Sequence, residues 1–163
     1  MTAKKPSRPV PGTAKSAAKD EVNNRLFFRL FQAANTLHKE GTRALDAHGV
    51  TTQQWSVLGA LSRPQVAQGM TVGALGSFLM VSRQNLDGIL NRLEHSGAIE
   101  RVQSEEDRRL RMVRLTAKGA QLWRALTPLI YEFYDRALAG FSFDDRIHFL
   151  HYITRLRDGM REP

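Results

Sequence analysis

The chain has 163 residues, as expected for one domain of ordinary size, and 42% of them are hydrophobic, which is enough to form a core. It contains no cysteine, which excludes disulfides, thiolate metal sites and cysteine nucleophiles. It also has neither an apolar run long enough to span a membrane nor the apolar core of a signal peptide, so we expect a cytoplasmic protein.

The net charge is +8, and its excess lies at the N-terminus. No acidic residue precedes Asp20, whereas five basic residues do: Lys4, Lys5, Arg8, Lys15 and Lys19. Residues 1–19 are rich in proline, alanine, lysine and serine and have no hydrophobic period, which predicts a disordered basic arm. Two interpretations remain open: an arm that adds phosphate affinity independent of base sequence, or a solubilising tail.

Residues 20–48 are predicted to form one long helix that Gly49 ends. Its apolar stripe is wide and aromatic: Val22, Leu26, Phe27, Leu30, Phe31, Ala34, Leu37, Ala44 and Leu45. Such a stripe is typical of a core helix or of a linking helix that also packs on a second subunit. A second helix is predicted from Thr51, which forms a capping box with Gln54, to the break at Pro64. Residues 64–70 are predicted to be a loop.

A helix–turn–helix pattern follows. Thr71 is suited to cap a helix over Val72–Met80, whose predicted inward residues are Val72, Leu75, Phe78 and Leu79. Ser82 can cap a second helix that ends at Gly97, with Leu86, Ile89, Leu90 and Leu93 on its buried stripe. Two helices joined by so short a turn are typical of proteins that present the second helix to a DNA major groove.

The outward face of that second helix differs from an ordinary solvated face, which favours paired glutamate and lysine. It carries Arg83, Gln84, Asn85, Asp87, Gly88, Asn91, Arg92 and His95. Gln84 and Asn85 are candidates for adenine edges, and Arg83 for guanine or phosphate.

Other residues of this helix are candidates for backbone contacts. Ser82 and the free amides of the first turn suit a phosphate. Gly88 would let the DNA approach the helix backbone closely. Asn91 and Arg92 lie further along, and we expect them to contact the DNA backbone.

Two predicted strands follow, residues 98–103 and 110–115, around a polar tip at residues 104–109. The second strand alternates arginine with apolar residues, the period of a half-buried strand. Residues 49–119 are therefore predicted to form a winged helix-turn-helix DNA-binding domain whose hairpin tip can reach a phosphate backbone or minor groove. Ser82 to Arg114 contains seven arginines and six acids, so the placement of charge rather than its total supports DNA binding.

The remaining residues, 120–163, are predicted to form C-terminal dimerisation helices, the first of which begins earlier, at Thr116, and ends at Gly140. Pro128 should bend that helix or begin a new segment. Ser142 and Asp145 form a second capping-box pattern that opens the last helix. The helices at both ends of this small chain carry many apolar residues that must be shielded from water. Two-fold dimerisation would bury them. The fold class is therefore mainly α with a small β wing.

The chain resembles the MarR family of bacterial transcription regulators. The resemblance lies in Leu93-Glu94-His95-Ser96-Gly97 and in Asp107-Arg108-Arg109, which five residues separate from Leu115-Thr116-Ala117-Lys118-Gly119. It covers roughly residues 21–157 and implies a dimer formed through the first and last helices. The absence of cysteine excludes the branch of that family that senses oxidation through a thiol.

The resemblance also implies how DNA is bound. Two recognition helices related by a dyad would enter successive major grooves of a palindromic operator, about one turn or ~34 Å apart. Arg109 matches the family arginine that enters the minor groove, and Asp107 would hold its guanidinium by a bidentate pair. The simpler reading of these two is a surface salt bridge that stabilises the turn. Arg108 and Arg111 are further candidates for DNA contact.

The family usually responds to a small phenolic or aromatic carboxylate, so a repressor released from DNA by such an acid is expected. Phe31, His38, Arg43 and Trp55 are candidates to bind it, offering rings to stack on and a cation for the carboxylate. The alternative is that Phe31 and Trp55 are core residues, His38 a partly buried imidazole with a satisfied hydrogen bond, and Arg43 a solvated cation.

Other classes of protein have weaker support. The sequence has no glycine-rich phosphate loop, HExxH or GxSxG motif, so no enzyme is expected. His148 and His151 could share a helix face near Asp145, but no third metal ligand is evident and we expect no metal or cofactor. A DNA-binding regulator without an effector, or an architectural protein associated with the nucleoid, remains the main alternative.

Overall fold

The computed structural model describes residues 11–104 and 110–161, with side chains from residue 16 onward. The chain divides into two compact units, Met1–Glu40 and Gly41–Pro163. The helices are α1 (Pro11–Ala44), α2 (Thr52–Leu61), α3 (Val72–Leu79), α4 (Arg83–His95), α5 (Ala117–Ala137) and α6 (Phe143–Gly159). The strands are β1 (Met70–Thr71), β2 (Ile99–Gln103) and β3 (Arg111–Leu115). The predicted class, mainly α with a small β wing, is confirmed.

The first helix differs from its prediction at both ends. It begins at Pro11, so the expectation of disorder is corrected for residues 11–19. Proline suits the first turn, where no N–H is needed, and the following alanines and lysines favour a helix. The helix ends at Ala44 rather than His48, because a short 3-10 turn, Asp46–His48, follows and Gly49 takes a left-handed φ of 62°. Residues 1–10 lie outside the described part of the chain.

The predicted N-caps of the DNA-binding unit are confirmed. Thr51 and Gln54 form the reciprocal capping box that opens α2. The Thr71 hydroxyl accepts a hydrogen bond from the Ala74 amide at 3.1 Å, which begins α3. The Ser82 hydroxyl accepts one from the Asn85 amide at 3.3 Å, which begins α4. Each cap satisfies an amide that has no partner within its helix.

The helix–turn–helix packs through Leu75 and the four predicted leucine and isoleucine positions of α4, all of them buried. Phe78 was predicted to face inward, and that was wrong because its side chain is 48% exposed. The Arg63 guanidinium, just beyond α2, lies 3.8 Å from the centre of the Phe78 ring and covers it as a cation–π contact. Met80 ends α3 with a left-handed φ of 55°.

The sheet is three-stranded and antiparallel, in the order β1-β3-β2. The predicted hairpin is confirmed, with Arg101 opposite Val113 and Gln103 opposite Arg111. The predicted loop at 64–70 instead contains a 3-10 turn, Pro64–Val66, and ends in β1, which covers the other edge of β3. A strand of two residues is too short to show an alternating pattern in the sequence. It forms because the free edge of β3 has backbone groups that need hydrogen-bond partners.

The core of the second unit lies where α2, α3, α4, the sheet and α5 meet. Its largest fully buried side chains are Leu45, Val57, Leu58, Leu75, Leu86, Leu90, Leu93, Ile99, Val113 and Leu126. The bend or break predicted at Pro128 is not a break, because α5 continues through it as one helix. No helix in the described ranges is long and apolar enough to cross a membrane.

The last helix, α6, begins with the predicted Ser142–Asp145 capping box. It has no buried residue, although its sequence is rich in large apolar side chains. Phe143, Ile147, Phe149, Leu150 and Tyr152 are each at least 49% exposed. Exposed apolar side chains in this number on one helix are typical of a surface that packs against a partner.

Candidate DNA-binding site

The predicted contacts in the first turn of α4 lie on the protein surface. Ser82, Arg83, Gln84 and Asn85 are all exposed, and the Ser82 cap fixes where the helix begins. Because the Ser82 hydroxyl is engaged with the Asn85 amide, a phosphate at this end would bind the remaining free amides. The four inward residues of the helix are at most 4% exposed, so its outward face is held in one orientation.

A shallow cleft of about 280 Å³ runs along this face. It brings together four predicted contacts, Gln84, Asn85, Gly88 and Arg92, beside the buried Ile89. Gln53 of α2, which sequence reasoning missed, also lines the cleft. Nothing local marks Gln53, because only the packing of α2 beside α4 brings its side chain to the cleft. The Gly88 backbone is open, since no heavy atom beyond its chain neighbours and the nearby backbone of its own helix lies within 4 Å of the place a β-carbon would take.

The predicted contact Asn91 is joined to the base of the wing. Arg101 of β2 donates through Nη2 to the Asn91 side-chain oxygen at 2.9 Å and pairs through Nη1 with the Glu94 carboxylate. The Arg101 side chain is only 18% exposed, whereas Asn91 is exposed. Arg101 was also missed, because an arginine in an alternating strand gives no sign that it reaches another element.

The hairpin carries the other predicted contacts. Arg111 is exposed at the start of β3, while Arg114 further along pairs with Glu100 across the hairpin at 2.7 Å. The remaining three calls, Asp107, Arg108 and Arg109, lie outside the described residues.

The recognition helix is also anchored at its C-terminal end. Gly97 takes the predicted left-handed conformation, with φ 74°. Its carbonyl accepts a hydrogen bond from the Thr116 hydroxyl at 2.6 Å, and the Lys118 ammonium donates to the Ser96 carbonyl at 2.7 Å. A positive charge beside these carbonyls also stabilises α4, because the C-terminal end of a helix carries a partial negative charge. The end of α4 is therefore tied to the start of α5.

The four predicted effector contacts are divided between the two units. Phe31, which is 66% exposed, and the exposed His38 belong to the first unit, whereas Arg43 and Trp55 belong to the second. Arg43 is exposed, and Trp55 is 9% exposed.

Trp55 belongs to an aromatic cluster with Phe133 and Tyr134 of α5. Its ring centre lies 6.1 Å from that of Phe133 and 5.8 Å from that of Tyr134. Burial raises the pKa of the Tyr134 hydroxyl, and its side-chain hydrogen bond with Trp55 acts in the opposite direction. These contacts fit the core interpretation of Trp55 as well as an effector site.

Among the described residues, no group of three or more His, Asp or Glu side chains is placed to hold a metal ion. His151 instead lies against Tyr152, with ring centres 5.7 Å apart.

A capped recognition helix, a turn from α3 and an antiparallel wing define a winged helix-turn-helix protein of the DNA-binding class. A family model described as "MarR family" matches residues 48–110. A similar relative is the "Transcriptional activatory protein BadR" of Rhodopseudomonas palustris, 54% identical over 145 residues, which are 88% of this chain and 83% of that protein. The chain belongs to the MarR family of transcription regulators.

Two further similarities extend this picture. The "Homoprotocatechuate degradative operon repressor" of Escherichia coli is 25% identical over 132 residues, 81% of this chain and 87% of that protein. The fold is also that of the S. aureus MepR–DNA complex, with a TM-score of 0.74 at 19% identity over 82% of this chain and 96% of that one.

Proposed function

We propose that this protein is a homodimeric, sequence-specific DNA-binding regulator that recognises an inverted-repeat operator. The observation that carries the proposal is the outward face of α4, which is exposed, rich in hydrogen-bond donors and acceptors, and held rigid by a buried stripe. Its two acidic residues are Asp87, which is half-buried, and Glu94, whose carboxylate pairs with Arg101. A surface of this kind suits base edges and phosphates in a major groove.

The position of each residue on the outward face of α4 suggests which part of the DNA it would contact. Gln84 and Asn85 would read adenine edges, and Arg83 would bind guanine or a phosphate. Gly88 would admit the DNA close to the helix, and Arg92 would bind the sugar–phosphate backbone. From the wing, Arg111 would add a phosphate contact, and the family resemblance adds Asp107, Arg108 and Arg109.

Dimerisation is proposed from the exposed apolar residues of α6. A self-complementary interface on this helix would remove them from water, and the burial of apolar surface is the main force that favours such association. The dyad so created would set two recognition helices about one DNA turn apart, ~34 Å. Such a regulator would act in the cytoplasm, at the nucleoid.

The proposed effector is a small aromatic acid, with Phe31, His38, Arg43 and Trp55 as its candidate contacts. Support comes from family membership and from the E. coli relative, whose name refers to the degradation of homoprotocatechuate, a phenolic carboxylic acid. The acid would lower DNA affinity by binding better to a dimer whose recognition helices have the wrong spacing.

The sign of regulation separates two candidate functions. Members of the family usually repress transcription, and the E. coli relative is named a repressor. The R. palustris relative, at 54% identity, is named an activatory protein, which favours activation. A reporter driven from the selected operator would decide: deletion of the regulator raises expression in the first case and lowers it in the second.

The experiment that tests DNA recognition is an in vitro selection from random duplexes, repeated with a panel of hydroxylated benzoates and cinnamates. We expect an inverted repeat to emerge, and one or more acids both to release it and to raise the melting temperature. Gln84→Ala should change the base preference at one position of each half-site. Enrichment of no inverted repeat would reject sequence-specific binding, whereas an operator that none of the acids releases would favour a regulator without such an effector.

A further inference from the structure

The Arg101 side chain of β2 lies against the recognition helix and is only 18% exposed. Its planar guanidinium bridges two α4 side chains one helical turn apart, Asn91 and Glu94. We propose that Arg101 is a positioning residue that turns the Asn91 carboxamide outward, so that its NH₂ group donates to a DNA phosphate oxygen. This inference rests on the proposed binding of DNA by α4.

The direction of the amide follows from donor and acceptor chemistry. A guanidinium has five N–H donors and no acceptor, so the Asn91 group that contacts Arg101 must be the carbonyl oxygen. The NH₂ group then points away from Arg101, and Asn91 is exposed on the outward face of α4. A phosphate oxygen only accepts hydrogen bonds. Because Arg101 occupies the carbonyl oxygen of Asn91, the group left free is the NH₂ donor, which is the one that a phosphate oxygen can accept from.

Arg101 is poorly placed to bind DNA itself. Its side chain is 18% exposed, and the Glu94 carboxylate already balances its charge. The bridge also joins β2 to α4, so it holds the base of the wing and the recognition helix together. Lysine could not replace it, because an ammonium lacks the planar fork that engages two acceptors in a fixed geometry.

Asn91→Asp separates this role from a purely structural one. A carboxylate still accepts from Arg101, so the melting temperature should stay close to that of the parent. It has no N–H to donate and adds a negative charge, so affinity for operator and for random duplex should both fall by about tenfold or more. Parent-like affinity, or a loss confined to the operator, would overturn the assignment to phosphate.

A double-mutant cycle tests the part played by Arg101. Asn91→Ala should weaken operator binding by roughly three- to tenfold in the parent, but by less than about twofold with Arg101→Met, where the amide is no longer held. Arg114→Met is the matched control, because it removes the Arg114–Glu100 pair from the same hairpin. In the Arg114→Met background, Asn91→Ala should weaken operator binding by the same factor as in the parent.

Equal losses in the parent and the Arg101→Met background would contradict the proposed coupling. If Arg101→Met does not fold, the same cycle with Arg101→Lys decides, because an ammonium keeps the charge beside Glu94 but lacks the planar fork that would also hold Asn91. The two proposals fail differently. A parent protein without operator preference defeats sequence-specific regulation, whereas a parent that binds with additive Asn91 and Arg101 effects defeats only this inference.

Discussion

Gly119, in the first turn of α5, lies directly against the backbone of Ala98 at the start of the wing. A β-carbon at position 119 would overlap the Ala98 carbonyl oxygen, which also accepts a hydrogen bond from the Thr116 amide at 3.1 Å. The last glycine of the wing signature is therefore required by close packing and not by a left-handed backbone. The contact fixes α5 against the segment that follows the recognition helix.

Gly119→Ala is expected to destabilise the protein by about 2–4 kcal/mol, because the added methyl group can be accommodated only if backbone moves. Gly140→Ala is the control, since no heavy atom lies within 4 Å of that position. Chemical denaturation at fixed protein concentration measures both. Equal unfolding free energies for the two variants would contradict the close approach.

Gly88→Ala should stabilise the fold and weaken DNA binding at the same time. Alanine in place of an interior helical glycine adds up to about 1 kcal/mol, and nothing nearby opposes the new methyl group. That methyl group would stand between α4 and the DNA, so operator affinity should fall by about tenfold. Gly140→Ala, at an equally open position between α5 and α6, should leave affinity unchanged. A Gly88 variant that binds as well as the parent would show that the helix backbone does not approach DNA there.

Arg109→Ala is expected to lower operator affinity by about tenfold or more and to leave the melting temperature nearly unchanged. The reason is the family resemblance, which implies that this arginine enters the minor groove. A gel-shift titration at fixed salt measures the affinity, and thermal unfolding monitors the fold. Undiminished binding would remove Arg109 from the site.

Asp145 predicts a specific pH dependence. The hydrogen bond from the Ser142 hydroxyl, and after it the one from the Ser142 amide, lowers the pKa of this carboxyl below its usual range. A group whose pKa is lowered by folding stabilises the protein above its unfolded value, and that contribution is lost as pH falls through the folded value. The melting temperature should therefore exceed that of Asp145→Asn at neutral pH, and the difference should shrink in strong acid. A difference that is constant with pH would show that the capping box does not depend on the charge.

The local structure of the DNA-binding unit could be predicted because its signals are local. A capping hydroxyl and the amide it binds are three residues apart, and a buried stripe repeats within two helical turns. The caps at Thr51, Thr71 and Ser82 and the hairpin were found in this way. The start of α1 was not, because alanine and lysine occur both in helices and in disordered segments.

The sequence by itself determined the order of the α-helices and of the two hairpin strands, the buried face of α4 and the residue types on its outward face. Only the tertiary structure decided which distant side chains meet there: Gln53 beside the cleft, Arg101 behind Asn91, and Arg63 over Phe78. Periodicity and caps act within a few residues of the chain. Contacts between elements depend instead on how the core brings them together, and no local pattern encodes that distance.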